Sequence, residues 1–145
     1  MTPRTFVTFE ADFPEDWEWD PKGNLVVPGG LGVARAIVSA IRSTGSSATE
    51  PVQHSFYGWS FEFASGSVAV WSVLQYPGPW LLQVEPRRKG LARLVKWSFP
   101  ADFERVLETL HGLLSADRRF SRLQWFTRNE YESGRQKGFD TPCER

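Results

Sequence analysis

Tyr57-Gly-Trp-Ser-Phe-Glu-Phe63 carries an aromatic ring at every second position, with Gly58, Ser60 and Glu62 between them. Only an extended chain, whose side chains alternate between two faces, sets Tyr57, Trp59, Phe61 and Phe63 on one side. Two similar segments, Val68 to Tyr76 and Trp80 to Glu85, follow across Ala64-Ser-Gly-Ser67 and Pro77-Gly-Pro79. Strands separated by short Gly, Pro and Ser punctuation predict an antiparallel meander. Along Val68 to Tyr76 both faces are partly apolar, with Val68, Val70, Leu74 and Tyr76 set against Ala69, Trp71 and Val73. That pattern marks a central strand.

On the N-terminal side, Thr5 to Phe9 reads as a short strand and Leu25-Val-Val27 as another apolar run. Pro14, an acidic stretch and Asp20-Pro-Lys-Gly-Asn24 form a loop between them. Pro28-Gly-Gly30 then introduces a helix over about 31–42, because Val33, Ala34, Ile37, Val38 and Ile41 make one stripe and Gly45 supplies a stop. The small, polar segment Ser43 to Thr49 reads as an exposed loop joining helix to sheet.

On the C-terminal side, Leu91 to Phe99 alternates as a fourth meander strand, and Pro100 opens a second helix through about Ser115. Phe103, Val106, Leu107, Leu110, Leu113 and Leu114 form its stripe, while Asp102 and Glu104 favour the positive end of its dipole. Arg122-Leu-Gln-Trp-Phe126 is a last strand, and Thr127 is placed to cap a short helix through Glu132. From Ser133 the chain is polar, with Phe139 its only large apolar residue, the composition of a disordered tail. The expected architecture is an α+β single domain over 1–132, with a mainly antiparallel sheet of four to six strands and both amphipathic helices on one face. Residues 133–145 make the tail. The second face of the sheet then needs a cover from the N-terminal segment, the tail or another chain.

A chain of 145 residues buries roughly two thirds of its unfolded surface and needs no covalent staple. Its one cysteine, Cys143, cannot close an internal disulfide, which suits a reducing, cytoplasmic setting. Met1 to Glu10 lacks the basic start and apolar stretch of a secretory signal, and no run reaches the about eighteen apolar residues of a membrane span. Net charge is zero but uneven: residues 1–84 hold eight acids and four bases, and residues 85–145 hold nine and thirteen. Glu10, Asp12, Glu15, Asp16, Glu18 and Asp20 fall within eleven positions that contain no base. Either end is able to steer a charged partner.

No constellation amounts to a reaction signature. Gly29-Gly-Leu-Gly-Val-Ala34 suggests a phosphate loop, but Arg35 stands where the dinucleotide fingerprint needs Gly or Ala, and no Lys-Ser or Lys-Thr follows. A tight turn into the helix explains it better. His54, His111 and Cys143 have no zinc-motif spacing, so no metal and no cofactor is expected. His111, beside Leu107 and Leu114, suits a hydrogen-bonded structural role. The Gly-x-Ser-x-Gly elbow of a serine hydrolase does not occur. Glu62 among aromatics has the setting of an acid or base, though the solvent side of its strand accounts for it too.

Seven tryptophans invite a stacking-platform reading, yet the alternation around Trp59, Trp71, Trp80, Trp97 and Trp125 explains each as core. Trp17 and Trp19 differ. They alternate with Asp16, Glu18 and Asp20 where structural demand is weak, and aromatic rings flanked by carboxylates are the composition of a protein-binding hot spot. The bases cluster at Arg87-Arg-Lys89 with Arg93 and Lys96, and at Arg118, Arg119 and Arg122. A neutral chain is a poor nucleic-acid binder, and charged turns account for these clusters.

With Tyr57 to Phe63 heading a meander, Trp80-Leu-Leu82 within it and Phe120-Ser-Arg-Leu-Gln-Trp-Phe126 closing the domain, about half the chain resembles the small bacterial immunity proteins that protect a cell against polymorphic toxins. That resemblance implies a compact non-catalytic domain that inhibits by occupying a toxin's active site. The acidic, aromatic segment Asp12 to Asp20 would then cover a basic cleft, with Asp12, Glu15, Asp16, Trp17, Glu18, Trp19 and Asp20 as the partner-binding residues. Two other classes fit the same residues. One is a small enzyme or ligand-binding domain with an aromatic cleft using Glu62 or His54, and the other is a self-associating subunit, a homodimer in its simplest form.

Overall fold

The computed structural model describes residues 2–54, 58–76, 79–87 and 99–143. In chain order the elements are β1 (Phe6–Ala11), β2 (Glu18–Trp19), β3 (Leu25–Val27), α1 (Leu31–Ser43), β4 (Ser47–Ala48), β5 (Val52–His54), β6 (Gly58–Ser65), β7 (Val68–Gln75), β8 (Trp80–Pro86), α2 (Phe103–Ala116), β9 (Phe120–Phe126) and α3 (Arg128–Glu132). The fold is α+β, with a mainly antiparallel sheet. Tyr57, Trp97 and the expected strand Leu91 to Phe99, save Phe99 itself, lie outside the described residues.

The meander is β6, β7 and β8, paired in register from Gly58↔Gln75 to Ser65↔Val68 and from Val70↔Pro86 to Gln75↔Leu81. Trp59, Phe61 and Phe63 all turn to the face that carries α1 and α2, joining the buried stripes Val33, Ala34, Ile37, Val38 and Ile41 and Phe103, Val106, Leu107, Leu110 and Leu114 in one core. Register places Val70, Ser72 and Leu74 on this face, so Trp71 points the other way. Trp71 is half-buried on the face opposite the helices, which corrects its reading as core. Trp59 and Trp125 are core, and Trp80 is half-buried at its margin.

The sheet has seven strands among the described residues, more than the pattern predicts. The excess lies beside β6, where β4, within the Ser43 to Thr49 segment read as a loop, and β5, just beyond that segment, share one flank. The N-terminal strand β1 inserts between β8 and β9, giving the order β4 or β5, β6, β7, β8, β1, β9. Beside β1, strand β9 bulges between its Thr8 and Glu10 pairings, where Arg122 takes a left-handed φ of 55°. An extra residue accommodated this way bends the strand and increases its twist.

The second face is partly covered from within the chain. Phe6, Leu81 and Phe126 form a small separate cluster there, and Tyr131 of α3 packs on Phe6 and Phe126 at 5.3 and 5.8 Å between ring centres. Thr127 caps α3 as expected: its hydroxyl accepts the Glu130 N–H at 3.2 Å, and Glu130 Oε1 accepts the Thr127 N–H at 2.8 Å. Residues 133–143, expected as a loose polar tail, run back along the free side of β9. Phe139 exchanges backbone hydrogen bonds with Trp125 at 2.8 and 2.9 Å, and the Arg4 guanidinium lies 3.6 Å from the Phe139 ring centre. Arg4 N–H donates to the Pro142 carbonyl, and Cys143 is 3% exposed against α2.

Candidate functional site

Helix α1 opens on Gly30, whose φ is 106°, and it has no cap from its own segment. The first N–H groups of a helix need partners, and a carboxylate there also meets the positive end of the dipole. Asp16 provides both from fourteen residues upstream. Its Oδ1 accepts the Gly30 N–H at 2.8 Å and its Oδ2 the Gly32 N–H at 2.7 Å. The Gly-rich loop is therefore filled by the chain's own carboxylate, which explains its glycines without a phosphate.

Three tryptophans clamp the same loop. The Trp59 indole N–H donates to the Pro28 and Gly29 carbonyls at 3.2 and 3.3 Å, Trp17 lies over Gly29, and Trp80 lies over Gly30. Only glycine allows rings so close: a Cβ on Gly29 would sit 2.6 Å from the Trp17 ring. Trp19, Trp17, Tyr76 and Trp80 form a ladder, with ring centres 6.2, 5.0 and 4.8 Å apart from one to the next. It runs from solvent towards the core.

The acidic stretch, read as loop, contains β2, which pairs with β3 in a small hairpin apart from the main sheet. Asp20 shapes its turn, accepting from the Lys22 and Asn24 N–H groups and from the Asn24 amide. The hydrogen bonds from Asn24, foremost, hold the Asp20 carboxyl below its ordinary value. A depressed folded pKa gives a contribution that is complete above the unfolded value of about 3.9 and is lost as pH falls through the folded one. Acidification below about pH 4 should therefore loosen this turn, seen as a shift of the Lys22 and Asn24 amide resonances towards random-coil positions, whereas Asp20→Asn should show no such titration.

The seven residues expected to meet a partner divide into two sets. Asp16 caps α1 and Asp20 closes the β2–β3 turn, so both carboxylates are engaged within the chain. Asp12, Glu15, Glu18 and Trp19 face solvent, with Trp19 61% exposed, and Trp17 is half-buried between them and the Gly29 loop. The structure adds Val26 of β3, 52% exposed, which the sequence reading missed. Strand pairing of Glu18 with Val27 and Trp19 with Leu25 brings that short apolar run beside the tryptophans. Glu15, Trp17 and Trp19 line a shallow hollow.

The other candidates resolve into structural roles. His111 Nδ1 accepts the buried Trp125 indole N–H at 3.0 Å, the hydrogen-bonded role expected of it. His54 is exposed at the end of β5 with its ring edge-on to Trp71. Glu62 lies on the face away from the helices and pairs with Arg87, while Glu85 pairs with Arg128. The second basic cluster is spread over separate contacts: Arg119 chelates Asp117 and covers the Phe13 ring, and Arg122 meets Glu10 at 3.5 Å. Among the described residues no group of His, Cys, Asp or Glu side chains is arranged to hold a metal ion, and no helix is long and apolar enough to cross a membrane. Comparison with protein-family models, curated proteins and solved structures finds no match to this chain.

Proposed function

We propose that this chain is a non-catalytic protein-binding domain of the cytoplasm, an antidote that inhibits a toxin by masking its basic active site with the β2–β3 hairpin. One observation carries the reading: a hairpin set apart from the main sheet holds Trp19 and Val26 in solvent, on a segment that also carries the exposed carboxylates of Asp12, Glu15 and Glu18. Exposed apolar side chains rimmed by charge are characteristic of interaction sites. Asp16, Asp20 and the glycine-supported Trp17 fix the hairpin before any partner arrives, which reduces the ordering cost of association. The carboxylates add steering toward a positively charged cleft.

The test is calorimetric titration with the product of the adjacent gene, accompanied by co-expression to measure protection. A complex in the micromolar range or tighter and rescue of growth are expected. Trp19→Ala should weaken binding by about 2 kcal/mol or more, the cost of losing a central anchor. Glu15→Lys with Glu18→Lys should lower the association rate at least about tenfold at low salt and much less at high salt. Absence of both complex and protection overturns the reading.

A further inference from the structure

The hollow lined by Glu15, Trp17 and Trp19 has the chemistry of a cation seat. The two indoles are nearly parallel, 19° between planes with centres 6.2 Å apart, and the position of Trp17 is fixed by Gly29 on one side and Tyr76 edge-on on another. Trp19 leaves 61% of its surface open. Glu15 is exposed at the rim, and no ion pair involves it among the described residues. Indole is the strongest of the aromatic side chains in attracting a cation, and a carboxylate at its edge favours a planar guanidinium, which stacks on the ring while its N–H fork meets the oxygens. We propose that this hollow seats one arginine side chain of the partner protein. The assignment rests on the protein-binding reading above and specifies its contact.

The probe is acetyl-arginine amide, titrated into the full ¹⁵N-labelled chain while the indole N–H resonances are followed. Acetyl-norleucine amide and acetyl-lysine amide serve as the neutral and non-planar controls. The arginine derivative should shift the Trp17 and Trp19 signals saturably and leave those of Trp59 and Trp125 in place. Its affinity should exceed that of the norleucine derivative by about threefold or more, the scale of an exposed cation–π contact. Glu15→Gln, a surface change that spares the core, should reduce that preference at least about twofold. No saturable shift, equal binding of the norleucine or lysine derivative, or an undiminished preference in Glu15→Gln overturns the proposal. The two readings also fail separately. Arginine binding without a protein complex sinks the antidote function alone, and a protein complex without arginine preference sinks this seat alone.

Discussion

Trp125→Ala should remove about 3–5 kcal/mol of stability, a large share of the 5–15 kcal/mol typical of a domain, and shift the urea midpoint accordingly. The indole is fully buried in the core, on a strand paired with β1 on one side and with Phe139 on the other. Truncation leaves a cavity where three segments meet. A double-mutant cycle separates packing from the hydrogen bond to His111. Trp125→Phe keeps most of the volume and should cost far less than the alanine variant. His111→Leu leaves the indole N–H buried without this acceptor, at about 1–3 kcal/mol. The pair Trp125→Phe with His111→Leu should cost measurably less than the two single changes together, because each removes the same interaction. Strict additivity would show that this hydrogen bond contributes nothing.

Gly30→Ala should cost about 3 kcal/mol, combining left-handed backbone strain with displacement of the Trp80 ring, which a Cβ would approach to 2.7 Å. Gly45→Ala is its control. Gly45 has a similar φ of 88° with nothing within 4 Å of an added Cβ, so strain alone, about 1–2 kcal/mol, should register there. The difference between the two midpoints isolates the ring contact. Because Trp80 continues the ladder through Tyr76 to Trp17, Gly30→Ala should also broaden the Trp17 and Trp19 indole resonances, which Gly45→Ala should leave sharp. Equal effects of the two substitutions would mean that the ladder does not hold the hairpin in place.

The elements legible in the sequence were those whose evidence is local. Trp59, Phe61 and Phe63 alternate within a few residues, the stripes of α1 and α2 recur at three and four, and Thr127 with Glu130 is a capping pair recognisable from spacing. The insertion of β1 between β8 and β9 was not legible, since strand order depends on contacts between distant segments that no periodicity records. Nor was the anchoring of the tail, where a single Phe139 in a polar run gives no pattern. At the candidate site, composition set Trp17 and Trp19 apart from the other rings, and of the two only Trp19 is exposed while Trp17 is half-buried like Trp71 and Trp80; it also treated the acids as equivalent. Asp16 is separated from its N–H partners, Gly30 and Gly32, by fourteen and sixteen residues. A signal did exist: Pro28-Gly-Gly30 offers no capping side chain, so a helix beginning there must take its cap from elsewhere.

The position of β1 has a consequence for how the domain assembles. Phe6 pairs with Gln83 and with Phe126, so this strand stays without its neighbours until most of the polypeptide has been made. Meander hairpins from β6 to β8 close early through short loops, whereas seating β1 requires contacts of high sequence separation, the kind that slows folding. During synthesis the apolar Phe6, Val7 and Phe9 therefore remain exposed the longest, and completion of β9 is the step that withdraws them from aggregation.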